Sequence, residues 1–170
     1  MSKNIAVVMT DMFEDSEFTS PKEALENEGH NLTVIEKEKG KTIQGKQKEA
    51  DVTVDASIDD VKPSDFDALL IPGGFSPDML RADDRFVSFA KYFMDEDKPV
   101  FAVCHGPQLL ITAKALEGRD ATGFASIQTD MEYAKANVYD EEVVVCNNLV
   151  TSRTPDDLPA FNRESLKQLQ

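Results

Sequence analysis

The sequence has few of the residues on which metal and disulfide sites depend. Its 170 residues include two cysteines, two histidines and no tryptophan. Cys104 and Cys146 belong to no Cys-x-x-Cys motif and to no Cys/His cluster, so we predict no metal site and no structural zinc. In a reducing compartment, two cysteines this far apart in the chain are expected to be free thiols.

Basic residues are scarce relative to acidic ones. The chain has 18 Lys and Arg against 32 Asp and Glu, and its net charge is −14 at pH 7. Phosphate recognition needs clustered Lys and Arg, so this balance argues against nucleic acid and against an anionic membrane as partners. No apolar run approaches the roughly 20 residues that cross a bilayer, and Ile5–Met9 is too short for the core of a signal peptide. We therefore expect a cytoplasmic protein.

Short apolar runs alternate with helical patterns along the chain. The predicted strands are Ile5–Met9, Asn31–Glu36, Ala68–Ile71 and Val100–Val103, followed by a hairpin of Val143–Val145 and Leu149–Ser152. Near-continuous apolar strands are typical of a parallel sheet that is covered on both faces. Strands that alternate with helices predict an α/β, doubly wound fold, and the length fits a single domain over residues 1–170.

Capping signals and apolar periodicity predict the helices. Ser20 followed by Pro21 suggests a helix start, and Gly29 suggests its end. The other predicted helices are Arg85–Met94, which has an aromatic stripe for the core, Pro107–Leu116, and a last helix that Asp156 or Asp157 caps. The polar segment Lys37–Ala50 is predicted to be a hairpin or an excursion at the sheet edge.

Cys104 lies where a buried strand passes directly into a helix. This arrangement is that of a nucleophile elbow, in which a strained turn exposes the reactive side chain. The N-terminus of the following helix favours negative charge, so we expect a lowered pKa for the thiol. His105 is next in sequence and could act as a base. Cys146 has no such partner and is predicted to be structural.

Two further strand ends carry candidate site residues. Gly73 and Gly74 follow the third strand, and their N–H groups could form an oxyanion hole or simply a tight turn. Three acidic residues follow the first strand: Glu14, Asp15 and Glu17. They fit a solvated loop, or, if one is enclosed, a carboxylic acid of raised pKa that donates a hydrogen bond to a thiolate.

Four blocks resemble the ThiJ/PfpI superfamily, specifically its branch of PfpI-like intracellular proteases and bacterial general stress proteins. They are Phe13–Glu17, Ala68–Gly74, Ala102–Pro107 and Thr151–Pro159, and they extend over almost the whole chain. The resemblance implies a flavodoxin-like fold, a homodimer and no cofactor. The activities it implies are peptide hydrolysis, glyoxalase activity, deglycation, chaperone action and redox sensing.

The resemblance also implies roles for individual residues. Cys104 corresponds to the reactive cysteine, Glu17 to the glutamate that hydrogen-bonds its sulfur, and His105 to the adjacent histidine. Peptidase members complete a triad with a glutamate from the neighbouring subunit, and the matching position here is Asp78, which is one methylene shorter.

The leading hypothesis is a cysteine-dependent stress enzyme that acts on small carbonyl compounds or on modified protein side chains. Cys104 would add to the carbonyl carbon, while Glu17 and His105 would move protons. An amide hydrolase is a close variant. The alternative is a non-catalytic redox sensor or chaperone whose Cys104 is oxidised. A glutamine amidotransferase is disfavoured, since no histidine follows His105.

Overall fold

The computed structural model describes residues 1–170 and contains eleven strands and six α-helices. The strands are β1 (Asn4–Val8), β2 (Asn31–Glu36), β3 (Thr42–Gln44), β4 (Asp51–Thr53), β5 (Ala56–Ser57), β6 (Ala68–Ile71), β7 (Val100–Val103), β8 (Asp120–Ala121), β9 (Asn137–Val138), β10 (Val144–Cys146) and β11 (Leu149–Ser152). The helices are α1 (Asp15–Asn27), α2 (Ser76–Leu80), α3 (Asp84–Asp95), α4 (Pro107–Thr112), α5 (Gln128–Tyr133) and α6 (Leu158–Gln168). None of these helices is both long enough and apolar enough to cross a membrane.

Seven strands form the central sheet in the order β10-β11-β7-β6-β1-β2-β5. Every pairing is parallel except that between β10 and β11, so the predicted α/β, flavodoxin-like fold is confirmed. The strands β7, β6 and β1 are neighbours, and their carboxyl ends therefore meet at one edge of the sheet. The chain leaves β1 towards β2 on one side, while β6 lies on its other side, and ligand sites of open α/β sheets form at such a switch point.

The two faces of the sheet bury separate apolar clusters. Alternate residues of β1 point to opposite faces, so Ala6 and Val8 join one cluster while Ile5 and Val7 join the other. The first cluster contains the aromatic stripe of α3, which is Phe86, Phe89 and Phe93, and the predicted core role of these rings is confirmed. The second cluster lies beneath α1 and α6, and both layers are needed to cover a parallel sheet.

Two helix boundaries and one helix cap differ from those predicted. The first helix begins at Asp15 rather than near Pro21, which lies buried inside it. Helix α4 ends at Thr112, earlier than predicted. Asp157 precedes α6 but does not cap it, because its carboxylate accepts hydrogen bonds from the backbone N–H and the guanidinium of Arg153.

The polar segment after β2 forms a separate antiparallel hairpin of β3 and β4. A hairpin is therefore present, but its second strand lies just beyond the predicted segment Lys37–Ala50. The hairpin does not extend the central sheet, however. It folds back over the carboxyl end of β1, where the Met12 N–H donates to the Gln44 carbonyl at 2.9 Å and the Lys46 N–H donates to the Phe13 carbonyl at 2.8 Å.

Candidate active site

Cys104 occupies the turn that joins β7 to α4. Its φ of 61° lies in the left-handed region, which a residue with a side chain rarely adopts and which marks a strained elbow. The turn is held by a hydrogen bond from the Cys104 N–H to the Ser152 carbonyl at 2.9 Å. A Cβ on Gly106 would lie 2.6 Å from the Ile71 carbonyl oxygen, so only glycine allows α4 to begin this close to β6. The predicted elbow geometry is therefore present.

Glu17 is completely buried in the first turn of α1. Its Oε1 accepts a hydrogen bond from the Gly73 N–H at 2.9 Å, while Oε2 has no nitrogen or oxygen partner and the carboxyl interacts with the Cys104 thiol. Burial, reinforced by the charge of Glu14, raises the pKa of Glu17 to about 8. Asp15 is buried as well, but its pKa is lowered, so Glu17 is the acidic residue of this segment whose pKa burial raises, and it carries a proton at neutral pH.

The pKa of the Cys104 thiol is raised, and the predicted lowering is wrong for this chain. Burial of the sulfur has the largest effect, and a charged Glu17 adds to it, whereas the N–H groups of His105 and Gly74 act in the opposite direction. Helix α4 has only six residues and does not outweigh burial. The contribution of Glu17 depends on its own charge. When Glu17 is protonated, that repulsion vanishes and the carboxyl can donate its proton to the sulfur.

Both ring nitrogens of His105 have partners. Nδ1 lies 3.3 Å from the Cys104 Sγ, and Nε2 lies 3.3 Å from the Oγ of Ser126. The ring stacks on Phe124, with centroids 4.9 Å apart and planes inclined by 26°. Partial burial, together with the charge of Lys46, lowers the pKa of His105, so the ring is mainly neutral at pH 7.

The two glycines after β6 have different roles. The N–H of Gly73 donates to Glu17, so it is already occupied and is not free for an oxyanion hole, which was one of its two proposed roles. The N–H of Gly74 faces the Cys104 sulfur and is available to a ligand there. Gly74 has a φ of 78°, and it forms an isolated β-bridge with Phe13 that joins the loops after β1 and β6.

Asp78 lies on α2 with its side chain exposed. It makes no hydrogen bond to His105 within the chain, although its negative charge acts to raise the pKa of that histidine. Its predicted role as a triad member from a neighbouring subunit stays a prediction. Cys146 ends strand β10, half-buried and apart from this site, as a free thiol.

Lys46 is a site residue that the sequence analysis missed. It reaches the site from the loop between β3 and β4, and its Nζ forms an ion pair with Glu14 at 2.8 Å and lies 5.7 Å above the centroid of the Phe75 ring. The hydrogen bond that Lys46 donates to Glu14 raises the pKa of Lys46, and negative charge on Cys104 or Glu17, when either is ionised, raises it further. Nothing in the local sequence places this lysine near the cysteine, because the two residues come together only when the hairpin folds over the edge of the sheet.

Asp15 holds the loop that carries Lys46. Its carboxylate accepts hydrogen bonds from three backbone N–H groups of the loop, those of Gln47 at 2.8 Å, Glu49 at 3.0 Å and Ala50 at 2.8 Å. Burial acts to raise the pKa of Asp15, but these hydrogen bonds together outweigh it, and the pKa is lowered. Ser126 also had no sequence signal, since it follows Cys104 by 22 positions and lies in a single 3₁₀ turn, Ala125–Ile127.

Taken together, these residues place a cysteine on a strained turn, a protonated carboxyl and a neutral histidine at the carboxyl ends of parallel strands. This arrangement defines an α/β protein built around one reactive cysteine. The sequence profile of the DJ-1/PfpI family matches residues 3–168. The chain belongs to the DJ-1/PfpI family, and the resemblance to ThiJ/PfpI proteins is confirmed.

Two curated relatives match over the full chain. General stress protein 18 of Bacillus subtilis is 72% identical over 171 residues, covering 100% of this chain and 99% of the relative. Protein/nucleic acid deglycase 2 of Escherichia coli is 59% identical over 170 residues, covering 99% of each. Among solved structures, a ThiJ/PfpI domain protein from Brachyspira murdochii superimposes with a TM-score of 0.91 at 30% identity, covering 98% of this chain and 95% of that one.

Proposed function

We propose that the protein is a cysteine-dependent stress enzyme that acts on reactive carbonyl compounds or on their adducts with protein side chains. The proposal is supported by one observation above all. The Cys104 sulfur has a neutral histidine nitrogen at 3.3 Å and a buried carboxyl whose pKa is about 8. A relative that is 59% identical has the name of a deglycase, which points to the same chemistry.

Addition to a carbonyl needs a thiolate, an acid and a place for negative charge. His105 Nδ1 takes the thiol proton, Sγ bonds to the carbonyl carbon, and the π-electron pair moves to the oxygen. The N–H groups of Gly74 and His105, which face the sulfur, stabilise that oxygen. The oxygen then takes a proton from Glu17 or from protonated His105, which gives a hemithioacetal and expels no leaving group.

A 2-oxoaldehyde can continue to a stable product without an external oxidant. The proton on the former aldehyde carbon moves to the neighbouring carbonyl carbon, so the first carbon is oxidised and the second is reduced. The resulting thioester is hydrolysed by water to a 2-hydroxy acid, and the free thiol is regenerated. Glu17 and His105 are the two groups beside the sulfur that can hold the moving proton.

Amide hydrolysis makes a stronger demand on the site. The amine is a poor leaving group and needs a well-placed general acid, which in a triad is oriented by a carboxylate. Asp78 makes no hydrogen bond to His105 within the chain, so the site as it stands favours carbonyl addition over proteolysis. We therefore expect weak or absent peptidase activity beside measurable carbonyl activity.

The test compares methylglyoxal and a methylglyoxal-treated peptide with casein on one preparation. Lactate formation and recovery of the unmodified peptide are measured for the wild type, Cys104→Ser and Cys146→Ser. We expect Cys104→Ser to lower turnover at least about 10³-fold and Cys146→Ser to retain it, because only the first cysteine is a nucleophile.

Two results would contradict the proposal. Cys104-dependent cleavage of casein without carbonyl activity would make amide hydrolysis the primary activity. Turnover of neither substrate, with Cys104 converted to a sulfinic acid by mild peroxide, would favour the non-catalytic redox sensor or chaperone instead.

A further inference from the structure

The ring of His105 is held from two sides by one short segment. The Oγ of Ser126 lies 3.3 Å from Nε2, and Phe124 stacks on the face of the ring. The Phe124 N–H donates to the carbonyl of Cys104 at 2.8 Å, so this segment is fixed to the nucleophilic residue itself. Ile127, at the end of the same turn, is buried in the core and anchors the segment.

If His105 is to act as a base, the two contacts of its ring are consistent with only one tautomer. For Nδ1 to accept the thiol proton of Cys104, the neutral ring must carry its own proton on Nε2. That N–H then donates to the Ser126 hydroxyl oxygen. The hydroxyl proton is free to point to solvent, since Ser126 is exposed. No carboxylate competes for Nε2 within the chain, because Asp78 makes no hydrogen bond to the ring.

We propose that Ser126 is the positioning residue of His105, which fixes the Nε2–H tautomer so that Nδ1 faces the Cys104 sulfur. This inference rests on the proposed function for its catalytic consequence, but the tautomer itself is independent of any substrate. A hydroxyl differs from the carboxylate of a triad in one respect. It orients the ring without a negative charge, and it therefore leaves His105 as a neutral base.

The first measurement observes the ring directly. The chain has two histidines, so the ¹⁵N ring resonances of the whole protein can be assigned with one substitution. His30 is an internal reference, because its Nδ1 accepts the Lys3 N–H at 3.1 Å and its tautomer is fixed away from the site. In the wild type at pH 7.5 we expect separate pyridine-type and pyrrole-type resonances for Nδ1 and Nε2 of His105. In Ser126→Ala the two should move towards each other, while those of His30 stay in place.

The second measurement is kinetic and uses methylglyoxal with Ser126→Ala, Ser126→Thr and, as a matched control, Ser88→Ala on the exposed side of α3. A positioned base contributes roughly 10²–10⁴-fold, so loss of its orientation alone should lower kcat by about tenfold. KM should change less than about twofold, since Ser126 acts through His105. Threonine retains the hydroxyl and should restore both kcat and the separated resonances.

Each outcome decides the inference. Separate His105 resonances in Ser126→Ala would overturn it, and so would a loss of activity that appears only in KM. A wild type that is inactive on carbonyl substrates would refute the proposed function, and the resonances alone would then decide the role of Ser126: convergence in Ser126→Ala would support it.

Discussion

The buried carboxyl of Glu17 makes the stability of the fold depend on pH in an unusual direction. Its pKa is raised from the ordinary value of 4.5 to about 8 in the folded protein. The folded state therefore binds this proton more tightly than the unfolded chain. Below the unfolded pKa, Glu17 is protonated in both states and does not lower the free energy of unfolding. Between the unfolded and the folded pKa, the free energy of unfolding decreases as pH rises. A paired surface carboxylate has the opposite effect, because its folded pKa is lowered.

The size of the effect follows from the shift. Each full pH unit between the unfolded and folded pKa values corresponds to about 1.4 kcal/mol, and because the slope decreases near each pKa, the loss between pH 5 and pH 8 is about 3–4 kcal/mol. Glutamine at position 17 keeps an acceptor for the Gly73 N–H and an NH₂ group for the sulfur, but it does not titrate. Glu17→Gln should therefore abolish this loss.

Urea unfolding of the wild type and Glu17→Gln at pH 5, 6, 7 and 8 measures the difference. Titrations of other groups, such as the two histidines, are largely shared by both proteins and cancel in the comparison. The matched control is Glu23→Gln, which removes an exposed carboxyl from the same helix and should keep the wild-type profile. Parallel profiles for the wild type and Glu17→Gln would refute the raised pKa and with it the acid role of this residue.

Three further outcomes are expected. In a background without the second cysteine, Glu17→Gln should lower the midpoint pH of iodoacetamide labelling of Cys104, because the carboxylate charge that raises the thiol pKa is removed; an unchanged or higher midpoint would contradict this. Asp15→Asn should destabilise the loop between β3 and β4 by about 1–3 kcal/mol, since one of the two acceptor oxygens becomes an NH₂ group that cannot accept from the loop N–H groups, and faster amide exchange there measures it. The stability difference between the wild type and Asp15→Asn should shrink as pH falls through the lowered pKa of Asp15. Sedimentation velocity at micromolar concentration should find a homodimer that Phe75→Asp weakens, because this ring is 59% exposed within the segment Pro72–Arg81; a wild-type monomer would refute the assembly.

The sequence predicted the central strands well where one physical signal dominates. The bounds of β6 (Ala68–Ile71) and β7 (Val100–Val103) are those predicted, because every residue of both is buried and apolar. The elbow at Cys104 followed from the adjacency of strand, cysteine and glycine. The start of α1 was not predicted correctly. Proline is usually found in the first turn of a helix, whereas Pro21 lies at the seventh position of α1.

The rest of the site depends on contacts between distant segments. Glu17 differs from Glu14 only by one helical turn, and its burial follows from the packing of α1 against the Gly73 turn. The raised pKa of Cys104 results from the same burial, whereas the local signal of a following helix predicted a lowering. Lys46 reaches the site from a hairpin and Ser126 from a 3₁₀ turn, and no periodicity in the chain connects either residue to the cysteine.

The five consecutive residues Phe13–Glu17 contact three other parts of the protein. Phe13 bridges to Gly74, the Asp15 carboxylate holds the β3–β4 loop, and Glu17 faces the thiol. Asp15 and Glu17 lie in the first turn of α1, so the helix sets the angle between these two side chains, because each residue advances the side chain by about 100°. A single inserted residue before Glu17 would redirect the carboxyl away from the sulfur, even if every side chain were retained. This stretch should therefore tolerate some substitutions, but in evolution it should not change in length.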